Sequence, residues 1–174
     1  MINAFLDLET LGTGPAPAIV QIGLVIFDTE DAPHRSSFLV DWAADLEAGG
    51  ELDPDCLRWW VQGTVEQRTM LALGKGVSFA EAFSEVRSIC SAWEVQSCWA
   101  NGHDWAWLEA AARRYGLKPF WPYNSVRDLR TLRKTVCAGI EIERDDAGKH
   151  DALADALWGA RLVQEMHRQK GGIL

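Results

Sequence analysis

The sequence predicts an α/β domain built on a mixed five-stranded sheet flanked by helices. Three observations lead there. Three runs rich in apolar and β-branched residues follow one another at the start of the chain, joined by short turn-rich links, the pattern of antiparallel hairpins. Capped helical segments then alternate with two further short strands, an order that belongs to α/β architecture. Finally, 174 residues, 48% of them apolar, are enough for one domain, residues 1–174, with a core that needs no covalent staples.

The elements read as follows. Residues 2–8 are nearly continuously apolar apart from Asp7, which suggests a central strand, and 18–27, "AIVQIGLVIF", and 37–42, "SFLVDW", read as the second and third. "LDPDCLRWWVQ" opens a helix: Asp53 can cap it, Pro54 fits the first helical position, and Asp55 suits the positive end of the helix dipole. "SFAEAFSEVRSICSAW" opens another, with Ser78 and Glu81 at capping-box spacing. A strand around 95–100 leads through an Asn101-Gly102 turn to a helix over 104–115, ended by Gly116. Residues 124–128 form the last short strand, after which Asp128 can cap "LRTLRK". "ERDDAGK" reads as a polar loop. The final helix spans 151–168, with Leu153, Leu157 and Val163 on its apolar side, and stops at Gly171-Gly172.

Several function classes are disfavoured by composition. No stretch approaches the roughly 20 uncharged apolar residues of a membrane span, so no membrane partner is expected. Met1-Ile2-Asn3-Ala4 has no basic region ahead of an apolar one, so no signal peptide is expected. The four cysteines lie far apart with no CxxC pair, which reads as reduced, mostly buried thiols in a cytoplasmic protein and argues against a zinc site. No P-loop, GxGxxG or GxSxG motif is present. A net charge of -8 does not suit a grip on long duplex through phosphates. If the chain handles nucleic acid, it should hold a short stretch or an end, with metal ions offsetting the repulsion between its carboxylates and the phosphates.

Asp7 and Glu9 are the anomaly in the first strand. Residues i and i+2 of a strand share a face, so two carboxylates stand side by side in an apolar run, and each costs several kcal/mol to desolvate unless partnered. A strand end frayed into solvent would explain them. So would a gathering of oxygen ligands for a hard divalent cation, which then requires more carboxylates elsewhere. Asp104, just past the Asn101-Gly102 turn, and Asp155, five residues after His150, can supply them. Taken singly, Asp104 also fits a helix cap and Asp155 a solvated helix residue.

Together these residues resemble the DEDDh family of 3′→5′ exonucleases, which holds RNase T, oligoribonuclease and the proofreading domains of polymerases. The matching blocks are "DLETLGTG" with Asp7 and Glu9, "NGHDWAWL" with Asp104, and "HDALADA" with His150 and Asp155, in the family's order and across nearly the whole chain. The spacer from Asn101 to Asp104 is shorter than the family's usual one, but Leu108 follows Asp104 at the family's interval. "LDPDCLRWWVQ", "SVRDLRTL" and "HDALADALWGARLV" are similar to the branch containing mycobacterial RNase AS, an exoribonuclease of adenylate-rich 3′ ends.

The resemblance implies a ribonuclease-H-like fold and a metal-dependent exonuclease that releases nucleoside monophosphates from single-stranded 3′ ends, with RNA favoured over DNA. It implies two divalent cations, Mg²⁺ or Mn²⁺, held by Asp7, Glu9, Asp104 and Asp155, with His150 as the general base. A histidine's unperturbed pKa of about 6.5 suits that role. Of the other histidines, His34 and His167 read as surface residues, and His103 competes with His150 through its adjacency to Asp104. Thr10 and Leu11 correspond to family positions that meet the terminal nucleotide. Trp59 and Trp60, adjacent on a helix, point about 100° apart, so one can pack inward while the other stacks on a base. Arg127 and Arg130 are within the chain's candidate phosphate contacts. Relatives are often homodimers, so a homodimer is an expectation too. The rival readings are a DNA exonuclease of replication or repair, a non-catalytic module that binds nucleic-acid ends, and a two-metal phosphatase.

Overall fold

The computed structural model describes residues 1–74, 76–144 and 150–173. Five strands form one sheet in the order β3-β2-β1-β4-β5, with β1 (Asn3–Thr10) at its centre, then β2 (Ile19–Phe27), β3 (His34–Leu39), β4 (Ser97–Ala100) and β5 (Val126–Asp128). The β1–β2 and β2–β3 pairs are antiparallel, while β1–β4 and β4–β5 are parallel. The helices are α1 (Trp42–Glu47), α2 (Pro54–Gln62), α3 (Val65–Leu73), α4 (Phe79–Ala92), α5 (Asp104–Arg114), α6 (Leu129–Lys134) and α7 (Ala152–Lys170), with a 3₁₀ turn at Tyr123–Ser125. This is an α/β fold with a mixed sheet flanked by helices, consistent with the ribonuclease-H-like class.

Both faces of the sheet are covered, which is why its central strands read as continuous apolar runs rather than alternating ones. Ala4, Leu6 and Leu8 of β1 and Ile22, Leu24 and Ile26 of β2 pack against Phe79, Phe83 and Val86 of α4 and Trp105 and Leu108 of α5. Their strand neighbours Phe5, Val25 and Phe27 face the other way, onto Ala156, Ala160, Val163 and Met166 of α7. Asp7 and Glu9 continue the Phe5 register, so they belong to the α7 face.

The caps behave as their sequences require. Asp53 accepts from Asp55 N, Asp128 from Arg130 N and Thr131 N, and Ser78 and Glu81 form a reciprocal capping box. Gly171, at φ 68°, ends α7. None of the four cysteines is bonded to another, and three are buried. No helix among the described residues is long and apolar enough to cross a membrane.

Two expectations change. The third strand lies at 34–39, not 37–42, because its register is set by pairing Ile26 with His34 and Gln21 with Leu39. Beyond it Asp41 accepts from Ala44 N and caps α1, so Trp42 is helical. Two short helices, α1 and α3, add to the elements expected from the sequence, the latter opened by a Thr64–Gln67 capping box. Most of the loop at 143–149 lies outside the described residues.

Candidate active site

The site is assembled where β1 emerges between its two neighbours. β4 pairs with β1 only over Asn3–Phe5, so the backbone N–H of Leu8 has no strand partner on that side. Asp104 takes its place: Oδ1 accepts from Leu8 N at 3.0 Å. Asp104 is therefore not a helix cap. His103 holds the cap position without a side-chain bond, and the Asp104 carboxylate is turned to β1, between Asp7 and Glu9 in sequence.

The start of α7 is fixed from the opposite side. Gln21 pairs in register with Glu9 and shares its face. Its Oε1 accepts from Ala152 N at 3.0 Å, and its Nε2 donates to Asp151 Oδ2 at 3.0 Å. Gly23 pairs with Asp7, and the backbone of Ala152 and Leu153 lies so close that a Cβ there would come within 2.2 Å of the Ala152 carbonyl. A hydrogen-bonding side chain and a missing side chain thus seat the helix on the sheet beside the two acids.

That seating delivers Asp155 and His150. Ligand atoms of Glu9, His150 and Asp155 lie within 4.8 Å of one another. His150 is in the left-handed region at φ 65°, unusual for a residue with a side chain, and its N–H points to Asp155 Oδ2 at 3.4 Å. Its ring meets Trp59 edge-on with centroids 4.7 Å apart. Asp155 is not simply solvated: Arg144 Nη2 lies 2.5 Å from Oδ1, and both side chains are mostly covered.

The electrostatics follow from this crowding. Desolvation, then the charges of Asp104, Glu9 and Asp155, push the Asp7 carboxyl well above the usual range. Burial, with Asp155 and Asp104 close by, raises Glu9 to about 8, and burial raises Asp104 to about 6 against the pull of the Leu8 N–H and of Arg130. Arg144 is the cation that opposes the rise at both Asp7 and Glu9. Clustered carboxylates that resist ionisation this strongly are a donor set short of positive charge. All are hard oxygen donors, the kind that suits Mg²⁺ or Mn²⁺.

Beside Glu9 a cleft of about 420 Å³ runs between the end of β1 and α2, lined by Glu9, Thr10, Gly12, Asp53, Cys56 and Trp59 among others. The tryptophan pair divides as the helical period requires. Trp60 is buried and donates Nε1–H to Thr10 O at 2.9 Å, whereas Trp59 is 42% exposed. The Thr10 hydroxyl is turned to Gly12 O at 2.7 Å. Leu11 is fully buried among Ala18, Val20 and Trp60. Arg127 is exposed at the edge of the sheet. Its guanidinium folds back onto Asn124 O and Val126 O on the edge strand, and the cation acting on Asp104 is Arg130.

Residues 2–167 match the domain family described as Rv2179c-like 3′-5′ exoribonuclease. The chain belongs to this exoribonuclease family. It is a 3′-5′ exoribonuclease by that membership, and its substrate is RNA. No curated protein gives a significant match to it. The candidate site contains three residues the motifs did not disclose: Gln21, Gly23 and Arg144. A polar residue and a glycine inside "AIVQIGLVIF" are the signal that marks the first two. Nothing local marks Arg144, which reaches Asp155 only through the fold.

Proposed function

We propose that this exoribonuclease is a DEDDh-type enzyme, allied to the RNase AS branch, that removes nucleoside monophosphates from single-stranded RNA 3′ ends with the help of two divalent cations. The observation that carries the reading is the meeting of Glu9, His150 and Asp155 within 4.8 Å, beside the raised carboxyls of Asp7 and Asp104. Asp7, Glu9, Asp104 and Asp155 would hold the cations. When bound, these supply the Lewis acidity that acidifies a water and steadies negative charge on the departing 3′ oxygen.

The chain's own groups do the rest. His150, beside Glu9 and Asp155, accepts the proton from the attacking water as its oxygen bonds to phosphorus. The phosphorus–O3′ bond breaks, and the shortened strand keeps the oxygen, protonated from solvent. Left-handed backbone at His150 aims the imidazole across the acids and onto Trp59. Replacing His150 with alanine is expected to lower kcat about 10²–10⁴-fold at neutral pH, the usual contribution of a positioned base. Undiminished turnover would remove His150 from this role.

The cleft beside Glu9 is proposed to take the terminal nucleotide, with the exposed face of Trp59 against its base. A stacked base is worth about 1–3 kcal/mol, so Trp59→Ala should raise KM roughly 5- to 150-fold in steady-state assays on an RNA oligonucleotide. Trp60 is expected to act only through Thr10. We also propose one catalytic domain, a cytoplasmic location and a homodimer.

The deciding experiment presents 5′-labelled RNA and matching DNA in Mg²⁺ and Mn²⁺, with EDTA and Asp7→Ala controls. A ladder shrinking from the 3′ end of RNA, absent in both controls, supports the reading. Cleavage undiminished in EDTA would end it, and faster loss of the DNA would move the substrate to the rival class.

A further inference from the structure

An enzyme with a net charge of -8 must still hold a polyanion. A cationic surface starts beside Asp104. On α6, Arg130, Arg133 and Lys134 stand at positions i, i+3 and i+4, which share one helical face. Arg130 is at the near end. Its Nη2 donates to Asn101 O at 2.9 Å, and its charge acts on Asp104. Arg133 comes next, 5.3 Å from the ring centroid of Trp158, the same ring that Arg144 approaches at 5.0 Å while it pairs with Asp155. Lys134 continues the row along a shallow groove of about 230 Å³ that also has Gly139, Ile140 and Glu141 on its wall.

Among the described residues none of these three cations forms an ion pair; Arg35, Arg68, Arg87, Lys118, Arg127, Arg161 and Lys170 are unpaired too, but the three on α6 stand together on one helical face beside Asp104. An unneutralised row on a six-residue helix, in a chain rich in acid, is an uncommon concentration of usable positive charge. Its continuity with Asp104 gives it a direction.

We propose that the RNA upstream of the scissile bond leaves the active site over α6, its phosphates lying along Arg130, Arg133 and Lys134. This rests on the exonuclease reading of the acid cluster and adds the path of the strand. The row sets how much a longer substrate gains over a short one: a dinucleotide ends before Lys134, and an oligonucleotide crosses the whole row. Phosphate contacts of this kind carry no base preference and weaken with salt.

The test compares a dinucleotide with a 12-nucleotide RNA in Mg²⁺, over a series of KCl concentrations, for the wild type and for the double variant Arg133→Gln/Lys134→Glu. The wild type should favour the longer RNA in kcat/KM, and the double variant should lose about tenfold of that advantage. Its slope of log kcat/KM against log salt should shrink by about 0.7 for each phosphate contact removed. Arg133 leans on Trp158, so Lys134→Glu alone, on an exposed side chain, is the second variant; it should shrink the slope by about the same 0.7. A wild-type length advantage and slope in a folded Lys134→Glu protein would overturn the path. Absence of hydrolysis of either RNA by the wild type would instead sink the reading of the site itself, and the path with it.

Discussion

Asp7→Asn is expected to abolish RNA trimming and, in the absence of divalent cations, to raise the melting temperature. Loss of activity follows from position. Asp7 sits on the central strand with Asp104, Glu9 and Asp155 all near enough to act on its charge. An amide keeps the shape but removes the anionic oxygen that a shared cation needs, so kcat should fall by at least about 10³-fold. The gain in stability follows from the same crowding. Asp7 and Glu9 bind protons more tightly in the folded chain than in the unfolded one, Glu9 up to about pH 8. The stability these two carboxyls contribute to the metal-free protein is therefore fully present below the unfolded value near pH 4.5 and is lost as pH rises towards 8. Each pH unit by which folding delays the ionisation of a carboxyl is worth about 1.4 kcal/mol, so the loss reaches a few kcal/mol. Melting curves from pH 5 to 8 in EDTA should show a decline in the wild type that is shallower in Asp7→Asn, and Mg²⁺ should restore the wild type and leave the variant nearly unchanged. A wild-type melting temperature that rises over this range in EDTA would contradict the whole electrostatic account.

The second large effect is expected from a position with no chemistry at all. Gly23→Ala adds one methyl group where the Ala152 carbonyl stands 2.2 Å and Leu153 N 2.5 Å away, and backbone cannot step aside as a side-chain tip can. The start of α7 must lift off the sheet, carrying His150 and Asp155 away from Asp7 and Glu9. Overpacking of this kind costs about 1–3 kcal/mol, which in a chain of this size lowers the melting temperature by several degrees. Activity should suffer more, about 10²-fold or beyond, because displacement by an ångström is enough to misplace a reacting group. Gly159→Ala provides the contrast: its Cβ would strike the Phe5 ring at 2.2 Å, further along the same helix. Comparable destabilisation with a smaller loss of kcat is expected there. Equal losses of kcat in the two variants would show that the helix start has no special place in positioning the site.

Asp7 and Gly23 fall on opposite sides of what a sequence discloses. The strand that carries Asp7 and Glu9 was legible, and the two acids on it were conspicuous because i, i+2 spacing puts both on one face of an apolar run; Asp104, His150 and Asp155 stood out only through the family resemblance. The capped helices were legible for the same local reason: Asp53, Ser78 and Asp128 satisfy N–H groups only two or three residues away. What escaped was set by contacts between distant segments. Arg144 has meaning only beside Asp155, and the burial of Leu11 among Ala18, Val20 and Trp60 is set by segments distant in sequence. The third strand shifted because its register is fixed by β2 rather than by its own run of apolar residues. α3 was hidden although Thr64 and Gln67 carry a cap signature, since its face towards the core is weakly patterned.

The order of the elements along the chain has a consequence for synthesis. β1 leaves the ribosome first and takes the centre of the sheet, but its two carboxylates are joined by His150 and Asp155 only when α7 has emerged, some 140 residues later. Until then Gln21 has no helix start to hold, and the acids stand without Arg144. On the proposed mechanism, a nascent chain therefore lacks its base and one of its four carboxylates until α7 has emerged, and the capacity to degrade RNA arrives with that helix.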